Sequence, residues 1–471
     1  MQDKYIELSY LAHLEGKTTM PPLVGFAATV ANPHPFEFQR ATIEWALSRG
    51  RAAIFADTGL GKSLMQLVWA DEVVKRCRVE GRPPRVLILA PLAVGPQTVR
   101  EAAKFGVDGV RFVRSVAEVQ DGVTICNYES LHRLEGVDWS GVVLDESSIL
   151  KSYMGKTKQA LIAGFSDVPY RLACTATPAP NDYLELGNHA EFLGVMSSHQ
   201  MIARWFISDQ SAMGTYRLKG HAVRSFWDWV SSWSRCIGVP SDVGDYDDTA
   251  YNLEPYELIP HFVAVDETAN AGDGDLFRRV DLSATAIHRE KRRSVGKRAA
   301  TVARVIADEP DEPWLVWCET NYEADALIAC LPDAVEVRGN TKPDRKESAL
   351  LGFGESGGVL ITKPKIAGFG LNWQHCARVA FVGGSYSYEA FYQAVRRCWR
   401  FGQARRVHVH VVMARTESAL WHVVSAKSEK HEAMKVAMFA ASRRNAARDA
   451  ATINYHPTHA APVPGWLRSR K

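Results

Sequence analysis

With 471 residues, 46% hydrophobic and 23% charged, the chain has an ordinary globular balance, with room for about two to three domains. A net charge of +3 excludes any case for a nucleic-acid partner from composition alone, so such a footprint would have to be local. No apolar run approaches a membrane span, Met1 to Tyr5 lacks a secretory pattern, and the eight cysteines show no C-x-x-C pair or zinc spacing. These features predict a cytoplasmic protein with no membrane partner, in which Cys77, Cys126, Cys174, Cys318 and Cys330 are buried small hydrophobes.

Residues 1–33 read as a lead-in, with a first helix over Tyr5 to Leu11 and a break at Pro21-Pro22. The next landmark is Ala56-Asp57-Thr58-Gly59-Leu60-Gly61-Lys62-Ser63, placed between the apolar run Ala52 to Phe55 and a helical pattern from Leu64 onward. Strand, glycine turn and helix form the context of a phosphate loop, in which backbone N–H groups and a helix N-terminus face a polyphosphate. Thr58, Gly59, Leu60 and Gly61 would line it, Lys62 would reach the β- and γ-phosphates of ATP, and the Ser63 hydroxyl would hold Mg²⁺.

Apolar strands follow at Arg85 to Ala90, Thr124 to Tyr128, Gly141 to Leu144 and Tyr170 to Cys174, separated by helix-length segments. That rhythm predicts a parallel sheet covered on both faces, over residues 34–235. Asp145 and Glu146 close the third of these strands, where parallel sheets bind ligands. Asp145 would bind Mg²⁺ through water and Glu146 would polarise the attacking water.

Residues 236–300 read as a mainly helical insertion. The tryptophans ahead of it, Trp205, Trp227, Trp229 and Trp233, are expected in helical packing between lobes rather than in base stacking. A strand is expected within Pro255 to Val265, and the basic run around Arg292 and Arg293 is either a solvated face or a contact to a nucleic-acid backbone. A second α/β rhythm occupies 301–430, with strands at Trp314 to Cys318, Ala334 to Val337, Gly358 to Thr362, Val379 to Val382 and Val407 to Val412. Residues 431–471 are expected to be a basic helix and a loose tail.

From Pro35 to Val412 these motifs, in this order, resemble the superfamily 2 helicases and translocases, and among them the Swi/Snf-like branch. The resemblance implies two tandem RecA-like parallel-sheet domains, ATP and Mg²⁺ as cofactors, and movement along nucleic acid. It makes Gln39, in Pro35-Phe36-Glu37-Phe38-Gln39, the adenine reader. Pro91, Asn127 and Tyr128 would touch the strand as motifs Ia and Ib, while Thr175-Ala176-Thr177-Pro178 would stand as motif III, with Thr175 and Thr177 near nucleic acid. Asp145-Glu146-Ser147-Ser148 occupies the D-E-x-x box. Gly339, Arg345 and Phe353 echo a G…R…F spacing. Lys365 to Asn372 is similar to K-A-G-G-x-G-L-N, with Lys365 toward the nucleic acid and Gly370 toward the nucleotide. Gln393 to Gln403 is similar to Q-A-x-D-R-x-x-R-x-G-Q, with Arg396 standing where the branch has an acid. In a helix Arg397 and Arg400 share a face, and from a second lobe they would reach the γ-phosphate when the lobes close. The resemblance favours duplex DNA over RNA as partner and a compact bacterial or phage protein. A separate protein would supply any nuclease, methyltransferase or replication function.

Overall fold

In the computed structural model, residues 24–91, 94–151, 155–208, 215–264, 284–367, 372–384 and 387–450 are described. The lead-in helix, the C-terminal tail and Gly370 lie outside them. The first lobe is built on β1 (Arg51–Ala56), β2 (Arg85–Ala90), β3 (Arg111–Phe112), β4 (Gly122–Asn127), β5 (Gly141–Asp145), β6 (Tyr170–Cys174), the hairpin β7 (Phe206–Ser208) and β8 (Tyr216–Leu218), and β9 (Ser234–Ile237). Apart from the hairpin these strands form one parallel sheet, in the order β3-β4-β2-β5-β6-β1-β9. Helices α1 (Glu37–Arg49), α2 (Lys62–Glu80) and α3 (Gly95–Lys104) precede α4 (Glu185–Phe192) and α5 (Val223–Trp233). The inner strands are buried on both faces, as their largely apolar runs predict.

The second lobe carries β10 (Glu257–Val263), β11 (Trp314–Trp317), β12 (Val335–Glu336), β13 (Val359–Thr362), β14 (Arg378–Phe381) and β15 (His408–Ala414), parallel in the order β10-β15-β14-β11-β13-β12. Its helices include α6 (Ala284–Ala307) and α7 (Tyr388–Val395). The fold is therefore two RecA-like parallel-sheet lobes in tandem. The segment between them differs in detail from expectation. Its first residues finish β9 in the first sheet, and β10 is an edge strand of the second sheet, which thus begins ahead of 301. Pro260 lies within β10, a position an edge strand tolerates because its missing N–H removes no interior ladder bond.

The tryptophan cluster is internal to the first lobe. Trp205 stacks on Trp229 with ring centroids 4.6 Å apart, Trp227 lies edge-on to Tyr183, and Trp233 lies edge-on to Phe55. All four tryptophans are at most 5% exposed, which removes them from any base-stacking role. Cys330 is exposed, contrary to expectation, because it closes the helix Asn321–Cys330 at the surface.

The last helix, α8 (Ser418–Ala450), leaves the second lobe and returns to the first. Met434, Met438 and Ala441 enter the first lobe's core, the Ser442 hydroxyl accepts from Cys236 N at 2.9 Å, and Arg443 pairs with the fully buried Asp242 at 2.7 Å. Spacings of four and three put those apolar residues on one helical stripe. Met438→Ala is expected to cost about 2–5 kcal/mol of stability, read by urea unfolding, whereas Val436→Ala on the exposed face should leave the midpoint unmoved. No helix among the described residues is long and apolar enough to cross a membrane.

Candidate active site

The phosphate loop forms between β1 and α2 because its glycines permit what other residues resist. Gly59 and Gly61 have φ of 96° and 79°, and Gly61 is the N-cap of α2. A Cβ on Gly61 would lie 2.3 Å from Gln39 Nε2, so a side chain there would displace the end of that amide as well as strain the backbone. Lys62 Nζ donates to Ala56 O at 2.8 Å and to Asp57 O at 3.3 Å, which folds the ammonium into the loop it serves.

Opposite, β5 delivers Asp145 and Glu146. Asp145 Oδ1 accepts from Gln66 Nε2 of α2 at 2.8 Å, tying the acidic strand end to the helix of the phosphate loop. Glu146 has φ 53°, the left-handed region that a non-glycine residue seldom adopts. Its Oε2 accepts from Thr175 Oγ1 at 3.1 Å. Burial pushes its carboxyl up to about 7, against the pull of Lys62. Backbone strain on an acid held by a threonine and faced by a lysine marks a site where geometry has been favoured over stability.

The second lobe completes the cleft. Helix α7 ends at Val395, so Arg397 and Arg400 lie in the turns that follow rather than in the helix itself. They still converge, because Arg397 N and Cys398 N bond back to Ala394 O and Val395 O and continue the coil for a turn. Arg397 Nε donates to Gln393 O at 3.2 Å and Nη2 to Gln393 Oε1 at 3.4 Å, so Gln393 aims the guanidinium. Burial, together with Arg397 and Arg396, lowers the Arg400 guanidinium to about 9. Phe401 closes over Gly59, where an added Cβ would meet its backbone N at 3.1 Å. The lobes also meet through Lys151 and Glu389, 2.5 Å apart.

The result is a cleft of about 460 Å³ lined by Gln39, Thr58, Gly59, Gly61, Lys62, Ser63, Asp145 and Glu146 from one lobe and by Asn372, Arg397, Arg400 and Phe401 from the other. Leu60 is buried behind the loop. Hydroxyl and carboxylate oxygens of Ser63 and Asp145 are the hard donors that Mg²⁺ takes. Tyr251, from the segment between the lobes, stands over Phe401 with centroids 4.9 Å apart and also lines the cleft. Sequence reading missed Tyr251, and no periodicity or spacing signals it.

Three expectations need revision. Gln39 spends both ends of its amide locally, Oε1 accepting from Phe36 N at 2.9 Å and Nε2 donating to Leu60 O at 2.8 Å. It is a strut for the loop in this conformation, so Gln39→Ala should raise the Michaelis constant for ATP and GTP alike. A rise for ATP alone, in parallel titrations of the two nucleotides, would restore the base-reading role. Thr175 and Thr177 are fully buried beneath the acids, with Thr177 N donating to Thr175 Oγ1, and cannot touch a strand. Tyr128 donates its hydroxyl to Asp145 O at 2.7 Å and so supports the acidic strand end, while Asn127 is only 7% exposed. Pro91 follows β2 and is half-buried, and Lys365 is exposed.

The basic run on α6 divides by face. Lys291 and Arg298 are buried structural cations, held by Glu319 at 2.7 Å and Glu323 at 2.9 Å. Arg292 and Arg293 are exposed side by side.

Compared with known proteins, residues 38–219 match the family described as SNF2-related domain. The chain is similar in structure to the Sulfolobus solfataricus SWI2/SNF2 ATPase core in complex with dsDNA, at 17% identity and a TM-score of 0.40, over 88% of this chain and 96% of that one. No curated protein matches it. The matched segment, residues 38–219, holds the phosphate loop and the acidic strand end described above, and this part of the chain is similar to the SNF2-related domain family.

Proposed function

We propose that the protein is a DNA-stimulated ATPase that converts ATP hydrolysis into stepping along duplex DNA. The observation that carries this reading is the division of the cleft. Lys62, Ser63, Asp145 and Glu146 come from one lobe and Arg397 and Arg400 from the other. A nucleotide between them would be held by both lobes before hydrolysis and by one after it, so turnover and lobe separation are coupled. Mg²⁺ bound at Ser63 and Asp145 would neutralise charge on the phosphates. Asp145 is kept in place by Gln66, and Glu146 is oriented by Thr175 for work on water.

Duplex DNA is favoured by the motif V and VI sequences, Lys365 to Asn372 and Gln393 to Gln403, which resemble the Swi/Snf branch. Arg292, Arg293 and Lys365 are exposed, and on this reading they would contact the phosphate backbone. Contacts of this kind are salt-sensitive and indifferent to base sequence. The test is phosphate release measured with duplex DNA, single-stranded DNA and RNA side by side. Duplex stimulation that falls steeply with salt, and falls again in Arg292→Ala/Arg293→Ala with the basal rate retained, is the expected result. Stimulation by RNA alone would replace DNA tracking with an RNA helicase.

A further inference from the structure

Asp57 is the one acidic side chain of the phosphate loop, and the cleft chemistry described above does not use it. It points away from the glycine turn into a cluster drawn from three parts of the chain. Its Oδ1 accepts from Thr58 N at 2.9 Å and from the Tyr392 hydroxyl of α7 at 2.5 Å. Its Oδ2 accepts from Lys435 Nζ of α8 at 3.0 Å, and that ammonium also donates to the Tyr392 hydroxyl at 3.1 Å. Arg396 Nη2 lies 3.4 Å from Asp57 Oδ1 and donates to Thr58 O. Arg396 is 4% exposed and Lys435 8%. Burial alone would push the Asp57 carboxyl up, but Arg396 and Lys435 outweigh it and hold the group well below the usual carboxylate range.

Two features take this cluster beyond ordinary packing. It joins surfaces of opposite lobes that must part when the cleft opens. It is also fixed to the loop whose backbone would hold the phosphates. Arg396 replaces an acid of the resembled motif, and an acid at that place would face Asp57 with like charge. We propose that Lys435, Tyr392 and Arg396 are positioning residues that grip the phosphate loop through Asp57, so that the second lobe and the C-terminal helix together set the loop's geometry. The proposal rests on the reading of the cleft as an ATP site. Closing the lobes seats Tyr392 and Arg396 on the loop, and docking α8 on the first lobe seats Lys435. A partner that lifted α8 would therefore loosen the phosphate loop without touching the nucleotide.

The test uses full-length protein and three variants, Lys435→Met, Lys435→Arg and Arg443→Met. The last loosens the same helix through its pair with Asp242, which lies beside β9, whose Ile237 O accepts from Asp57 N. Hydrogen exchange is followed at residues 56–63 in nucleotide-free protein, and steady-state ATPase gives KM and kcat separately. Lys435→Met should speed exchange in the loop and raise KM for ATP by about tenfold, the scale of one lost charged hydrogen bond, with a smaller change in kcat. Lys435→Arg should restore both, and Arg443→Met should speed exchange in α5, β9 and α8 and at Asp57 N, which bonds to β9, but not at residues 58–63. If Lys435→Met does not fold, Tyr392→Phe keeps the ring and removes the hydroxyl, and is read in the same way. Exchange at residues 56–63 unchanged in Lys435→Met, or raised equally by Arg443→Met, overturns the proposal. A wild-type protein that does not hydrolyse ATP overturns the ATPase reading instead, and the exchange experiment still decides whether Lys435 grips the loop.

Discussion

Glu146→Gln is expected to lower ATP turnover by roughly 10²–10⁴-fold, the range for a lost general base, while leaving ATP binding close to that of the parent. The amide has the shape of the carboxylate and its oxygen can still accept from Thr175, whose hydroxyl lies 3.1 Å from Oε2. What it lacks is the charge that orients and polarises water. Lys62→Ala should fail differently, by losing a phosphate ligand and hence affinity. The pH dependence follows from the environment. Burial raises the Glu146 carboxyl to about 7, so kcat/KM of the parent should climb as pH passes through neutrality and the carboxylate forms. That limb should vanish from the residual activity of the variant.

The stability consequence has the opposite sign. A carboxyl whose folded-state value lies above its unfolded one contributes stability fully below the unfolded value, and the contribution is lost as pH rises through about 7. Glu146→Gln removes that loss, so at pH 8 the inactive variant should unfold at the same urea concentration as the parent or a higher one. Near-parental turnover in Glu146→Gln would sink the assignment of Glu146, whatever happened to stability.

The phosphate-loop half of the cleft was legible in the sequence for a physical reason. A phosphate loop needs a buried strand, glycines at positive φ and a helix, and Ala52 to Trp69 states all three locally. The acidic strand end, Val142 to Glu146, is equally local. Burial of polar side chains was not legible, because their partners are remote. Lys291 and Arg298 sit in a run that reads as a solvated basic face, yet Glu319, Glu323 and backbone carbonyls from beyond residue 380 bury them. Thr175 reads as a loop hydroxyl near a strand until Glu146 is seen to accept from it. The return of α8 to the first lobe was hidden in the same way. Among the described residues its buried apolar ones, Met434, Met438 and Ala441, are interspersed with the cations that pair with Asp57, Asp228 and Asp242 on the far side of the chain.

Arg397→Ala and Arg400→Ala are each expected to reduce kcat by as much as 10³-fold, the lower end of the range for an arginine that stabilises charge in phosphoryl transfer. The two need not fail alike. Arg397 is only 4% exposed, is aimed by Gln393, and has Glu146 among its charged neighbours. Arg400 is half-buried in the cleft wall, where burial and the neighbouring arginines lower its guanidinium to about 9. Cations that destabilise one another in this way favour an anion placed between them and the phosphate loop. An interaction made with the γ-phosphate alone should leave ADP affinity nearly unchanged while turnover collapses. ADP affinity is therefore measured beside kcat, and Arg397→Lys is added to ask whether charge without the planar fork is enough. Lysine should recover little, because Gln393 supports Arg397 at both Nε and Nη2 and a single ammonium nitrogen cannot stand at both donor positions and reach the phosphate as the planar fork does. If ADP affinity fell by the same factor as kcat in both alanine variants, the arginines would be ground-state ligands rather than the groups that make hydrolysis depend on lobe closure.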